Sequence, residues 1–74
     1  MTNYFVFDGD VIKVEKTDKP GIYVLVNKKW TPYTDDTSLT DIVVEFNAAR
    51  HGYSDVYSVD DVKEISEEEV QKYL

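Results

Sequence analysis

Seventy-four residues without a cysteine exclude a disulfide framework, a thiolate nucleophile and a zinc–thiolate site. A net charge of −7 disfavours direct contact with phosphate backbones or anionic lipid, while a 42% hydrophobic fraction with six tyrosines, three phenylalanines and one tryptophan is too rich for a disordered chain. The length predicts one small domain with a stability of roughly 4 to 11 kcal/mol, which leaves little for a strained, water-excluding catalytic cleft.

The opening segment, MTNYFVFDGD, has no basic n-region and its apolar run is broken by Asp8, so no secretory leader is expected. No run approaches the roughly eighteen apolar residues of a membrane span, and a soluble, cytoplasmic protein is the expectation. Residues 3–7 are aromatic and β-rich, Asp8-Gly9 signals a two-residue type I′ hairpin, and residues 10–16 alternate in polarity. Asp8-Gly9-Asp10 also opens like a calcium loop. Val11, Ile12 and Lys13, however, supply none of the further oxygen ligands such a loop needs, and no metal or other cofactor is expected.

The turn residues Asp18-Lys19-Pro20-Gly21 lead into an apolar run over 22–26, and Asn27-Lys28-Lys29 turn the chain into a strand over 30–33. Pro32 has no N–H to give a ladder, which puts this strand at a sheet edge. These segments predict an antiparallel meander of three to four strands.

From Ser38 the period changes. Leu39, Ile42, Val43, Phe46 and Ala49 or Arg50 follow i, i+3, i+4, i+7 spacing, predicting a helix over 39–50 with Ser38 as N-cap, Asp41 at N3 and Gly52 as the left-handed residue after its end. Beyond it, residues 56–59 read as a further strand and 62–65 as a turn-like or extended piece. Ser66-Glu67-Glu68-Glu69 read as a capping box opening a short helix that runs to Leu74. A continuous helix over 59–73 is the rival, disfavoured because the apolar spacing slips at Ser66. The fold class expected is α+β: the meander packed on one amphipathic helix, one more strand and a short C-terminal helix.

Two stretches invite a catalytic reading. HGYSDVY, residues 51–57, holds the lone histidine close to a serine and an aspartate. A nucleophilic site needs a base within reach of the serine and a third group orienting that base, and no glycine-rich elbow or second histidine is present. A helix stop accounts for every residue: Arg50 and His51 complement the negative helix end, Gly52 closes it, Tyr53 packs back on the last turn, and Ser54-Asp55 begin the next strand. Asp35-Asp36 and Asp60-Asp61 are adjacent pairs whose members point to opposite sides of an extended chain, which suits solvated loop charge rather than an acid–base dyad. No enzymatic activity is expected.

Two features point to binding. Trp30, beside Lys28, Lys29, Pro32 and Tyr33 on a predicted edge strand, is either an aromatic anchor for a partner or a lid on a small core with its indole N–H at the rim. Charge is also uneven: residues 1–37 are close to neutral, while residues 38–74 carry nine acids against Arg50, Lys63 and Lys72. Asp60, Asp61, Glu64, Glu67 and Glu68 head the acids that would attract a basic protein, such as a nucleic-acid-handling enzyme whose groove they would occupy. Solubility alone is the plain alternative.

The short hairpin, the lone Trp30 after two lysines and the closing YSVDDVKEISEEEVQKYL resemble small acidic proteins of uncharacterised role from Gram-positive bacteria and their phages. The resemblance implies no catalytic residue and an accessory protein that binds another protein. The sequence therefore predicts a non-enzymatic binding module using Trp30, Tyr33 and the acids named above, with a small structural or homodimeric accessory protein as the second reading.

Overall fold

The computed structural model describes every residue except Met1, Thr17, Lys19, Pro20, Asp35 and Thr37, so the predicted turn at 18–21 and the Asp35-Asp36 pair lie partly outside the described residues. In chain order the elements are β1 (Thr2–Phe7), β2 (Asp10–Glu15), β3 (Gly21–Val26), β4 (Lys29–Pro32), α1 (Thr40–Arg50), β5 (Val62–Ile65) and α2 (Glu67–Val70). Single 3₁₀ turns cover Val59–Asp61 and Gln71–Tyr73. The strands form one antiparallel sheet in the order β4-β3-β2-β1-β5, giving an α+β fold.

Both tight hairpins turn on left-handed residues. Asp8 and Gly9 have φ of 48° and 83°, and Asn27 and Lys28 have 52° and 65°, the signs a type I′ turn demands to match strand twist. A two-residue loop also fixes which backbone groups point where, because the residues flanking it form a hydrogen-bonded pair and the pattern then alternates. Phe7 and Asp10 are such a pair, as are Val26 and Lys29. Consequently Tyr4 and Val6 turn their N–H and C=O toward β5, where Lys63 and Ile65 meet them, and Glu64 turns its own to the open edge, as does the Val62 C=O, while the Val62 N–H donates to the Val59 carbonyl. The same alternation sends the backbone groups of Ile22 toward β4, and the Tyr33 N–H donates to the Ile22 carbonyl at 2.8 Å. On β4 it leaves Trp30 and Pro32 facing outward, so the N–H that Pro32 lacks would have faced solvent, as expected for a proline at a sheet edge.

Since every neighbour is antiparallel, the edge strands β4 and β5 run in the same direction. A crossover must then carry the chain back across the sheet, and α1 provides it. Phe5, Phe7, Ile12, Val14 and Val24 from one sheet face meet Leu39, Val43, Phe46 and Ala49 of the helix segment, with Ile22, Tyr33, Ile42, Tyr57 and Val62 packed around them. The Phe46 ring lies 5.5 Å from that of Phe5 and 6.1 Å from that of Phe7, and the Arg50 guanidinium covers Phe5 and Phe46 at 5.1 and 5.8 Å. The helix stripe read from the sequence is thus the face that packs. No helix among the described residues is long and apolar enough to cross a membrane.

The helix ends differently at its two termini. At the C-terminus Gly52 has φ 77° and donates to the Ala49 carbonyl, while Tyr53 N–H donates to the Ala48 carbonyl at 2.7 Å: the paired bonds of a Schellman stop. The Tyr53 ring packs back only as far as the His51 ring, 6.5 Å away, and the residue stays 83% exposed, so its backbone bond is what closes the helix. At the N-terminus Ser38 is not the cap. Leu39 holds that position with no side-chain cap, its side chain drawn into the core.

Residues 56–59 are not a strand. The Ser54 hydroxyl oxygen accepts from the N–H groups of Val56 and Tyr57 at 3.1 and 2.9 Å, and a Ser58–Asp61 capping box opens the 3₁₀ turn. These local bonds compete with a ladder and bend the chain away, leaving Val56 81% exposed. The fifth strand is instead Val62–Ile65, the piece whose sequence alternates poorly. The rival helix over 59–73 is likewise broken, by β5 and by Ser66, whose hydroxyl accepts from Glu69 N–H at 3.2 Å as the cap of α2.

Candidate protein-binding surface

The sheet face away from α1 carries Tyr4, Lys13, Tyr23 and Pro32 in one cross-strand row and Val6, Val11, Leu25 and Trp30 in the next. Trp30 starts on β4 and Tyr4 on β1, three strands apart, about 14 Å at ~4.8 Å per step. Their ring centroids are nonetheless 6.0 Å apart. The indole therefore lies inward across the row, over Leu25 and Val11, which explains why Val11 is only 4% exposed although it belongs to no part of the core under α1. Lys13 sits within this layer, its Nζ 4.6 Å from the Tyr23 centroid, 4.8 Å from that of Trp30 and 3.3 Å from Glu15 Oε1. Tyr33, by contrast, packs against the core under α1. The two aromatics paired by the sequence reading thus lie on opposite faces.

The five predicted acids gather at the other side of the molecule, on and around the edge strand β5. Asp60 and Asp61 occupy the 3₁₀ turn that precedes it, Glu64 lies within it, and Glu67 and Glu68 stand in the first turn of α2 just after it. Their roles differ. Asp61 accepts from the Ser58 N–H at 2.8 Å, so its carboxylate is committed to shaping the chain. Glu64 accepts from the Asn3 amide at 3.4 Å. Asp60, Glu67 and Glu68 have no hydrogen bond or salt bridge to any described residue. The result is a negative edge whose charge nothing among the described residues neutralises by contact.

Where β5 ends, the ladder to β1 stops at Tyr4 and Ile65 because Ser66 leaves to cap α2. A cleft of about 450 Å³ opens there, lined by Thr2, Asn3, Tyr4, Glu64, Ile65, Ser66 and Glu67. Thr2 and Asn3 carry no sequence signal for this place; strand pairing alone brings them beside Glu64 and Glu67. Ser58-Val59-Asp60-Asp61, on the other hand, has the spacing of a capping box, which is the signal that would have assigned Asp61 its structural role.

At the opposite end of the sheet the Tyr57 hydroxyl donates to Asp8 Oδ2 at 3.0 Å, and this bond to a carboxylate raises the phenol's pKa. Burial, reinforced by the neighbouring Asp8, raises that of Asp10. His51 ends α1 with its backbone N–H on the Asn47 carbonyl, the Ser54 hydroxyl oxygen accepts from the N–H groups of Val56 and Tyr57, and no hydrogen bond joins the His51 and Ser54 side chains. Among the described residues, no three histidine, aspartate or glutamate side chains converge as a metal ion requires. No protein family, curated protein or solved structure matches this chain.

Proposed function

We propose that this chain is a non-enzymatic binding module whose acidic β5 edge takes up a basic protein. The observation that carries the reading is the placement of Asp60, Glu64, Glu67 and Glu68 on and around one edge strand with no cation in contact among the described residues, while the aromatic layer around Trp30 is occupied by its own lysine. Uncompensated carboxylates on one side produce a field that steers a cationic surface into place. A nucleic-acid-handling enzyme is one partner of suitable charge, with the acids standing where phosphates would.

The reading is tested on a basic protein captured from cell lysate, by comparing its affinity for the wild type and for Glu67→Gln/Glu68→Gln across a salt series. Wild-type affinity falls with salt, and that of the double variant falls less. Superimposable salt series would remove these carboxylates from the interface.

A further inference from the structure

We propose that β5 accepts an extended segment of a basic protein as a sixth strand of the sheet, with a cationic side chain of that segment opposite Glu64. The inference rests on the acidic-edge reading and adds to it the backbone that does the binding.

The two edges of the sheet each offer one outward N–H and two outward C=O groups, and they differ in charge. On β4 the outward groups belong to Trp30 and Pro32, and the proline offers no donor. On β5 they are the Glu64 N–H and the C=O groups of Val62 and Glu64, since the Val62 N–H donates to the Val59 carbonyl in the 3₁₀ turn. Among the described residues the Glu64 N–H, unlike that of Val62, has no backbone partner. Lys63 and Glu64 are exposed, so the edge is open.

Charge selects the occupant. A residue opposite Glu64 shares its side of the sheet and meets a carboxylate, and a residue opposite Val62 meets an aliphatic side chain; Asp60, in the 3₁₀ turn before β5, adds negative charge at that end of the strand. The fitting segment therefore sets a cation and an aliphatic residue two positions apart on one face, with a further cation toward the acidic turn before β5. A second copy of this chain fits poorly. Two-fold pairing of β5 with itself that keeps α1 on the same side sets Glu64 opposite Glu64, or Lys63 opposite Lys63, in the central registers, and like charges directly opposed destabilise a ladder.

The test uses a short capped peptide in which threonine alternates with arginine, valine and arginine, together with the same peptide N-methylated at alternate amides and a version with glutamate for arginine. Backbone amide spectra and hydrogen exchange of the protein are the readouts. Binding slows exchange of the Glu64 amide by about tenfold or more, N-methylation weakens binding by at least about tenfold, and the glutamate peptide does not bind. Glu64→Pro removes one outward N–H while sparing the ladder to β1, so this variant folds and loses the peptide. Should it fail to fold, the N-methylated peptide gives the same answer on the wild type. Equal binding of the N-methylated peptide, protection confined to the Trp30 face or α1, or no binding of the arginine peptide overturns strand addition. If the Gln double variant still weakens the captured basic protein in those cases, the acidic edge stands and only the added strand falls.

Discussion

Trp30 and Tyr4 leave the sheet three strands apart and bring their rings to within 6.0 Å, bridging the face that α1 does not cover. The contact makes the lone tryptophan a lid over Val11 and Leu25. Trp30→Ala is expected to destabilise by about 2 to 3 kcal/mol, below the range for a fully buried tryptophan because the residue is only partly buried. In a double-mutant cycle with Tyr4→Ala the coupling should be about 0.5 to 1.5 kcal/mol, as for other aromatic pairs. Urea unfolding measures both. Additive single effects would mean that the two rings do not interact in solution, leaving Trp30 available as an anchor.

What the sequence makes legible here follows the range of the forces involved. The Asp8-Gly9 turn, the Gly52 stop and the Leu39 to Ala49 stripe depend on neighbours within a few residues, and each is found where local chemistry puts it. The fifth strand depends on β1, far away in the chain. Val62–Ile65 has little pattern of its own and becomes a strand because Tyr4 and Val6 present backbone groups to it, while the more strand-like valines at 56 and 59 are bent away by Ser54 and Ser58. The same holds for the candidate surface. The clustering of acids in the second half was visible, but their assembly on one edge, and the separation of Trp30 from Tyr33, required the sheet order.

Phe46 is fully buried between Phe5 and Phe7 with Arg50 above it. Phe46→Ala is expected to cost about 3 to 5 kcal/mol, a large share of the stability of a chain this short. Val44, on the same helix but 57% exposed, supplies the contrast: Val44→Ala should stay within about 0.5 kcal/mol. Thermal melts that do not separate the two variants would mean that α1 packs through another face.

The two hairpin loops make opposite predictions. Lys28 holds φ 65°, a left-handed conformation that costs a side-chain-bearing residue about 1 kcal/mol, so Lys28→Gly should stabilise by up to that amount. Gly9 has φ 83° with nothing near an added Cβ, so Gly9→Ala is a backbone test free of clashes and should destabilise by about 1 kcal/mol. Chemical denaturation with an unchanged m-value checks both.

Asp10 closes the first hairpin, and its pKa is raised first by burial and then by the nearby charge of Asp8. A carboxyl with a higher pKa when folded binds its proton more tightly in the native state. Its contribution to stability is therefore full below the unfolded value of about 3.9 and is lost as pH rises through the higher folded value. At neutral pH the ionised Asp10 opposes folding. Asp10→Asn removes both the desolvated charge and the repulsion from Asp8 while keeping the size of the side chain. The variant should melt above the wild type at pH 7, and the two melting temperatures should converge as pH falls through that window toward pH 3. Because Asp8 accepts the Tyr57 hydroxyl, the gain at pH 7 should persist in a Tyr57→Phe background, where that bond is absent. Melts at both pH values decide the matter: an Asn variant less stable than wild type at pH 7 would mean that the charged Asp10 makes a compensating bond in solution and that its native pKa is not raised.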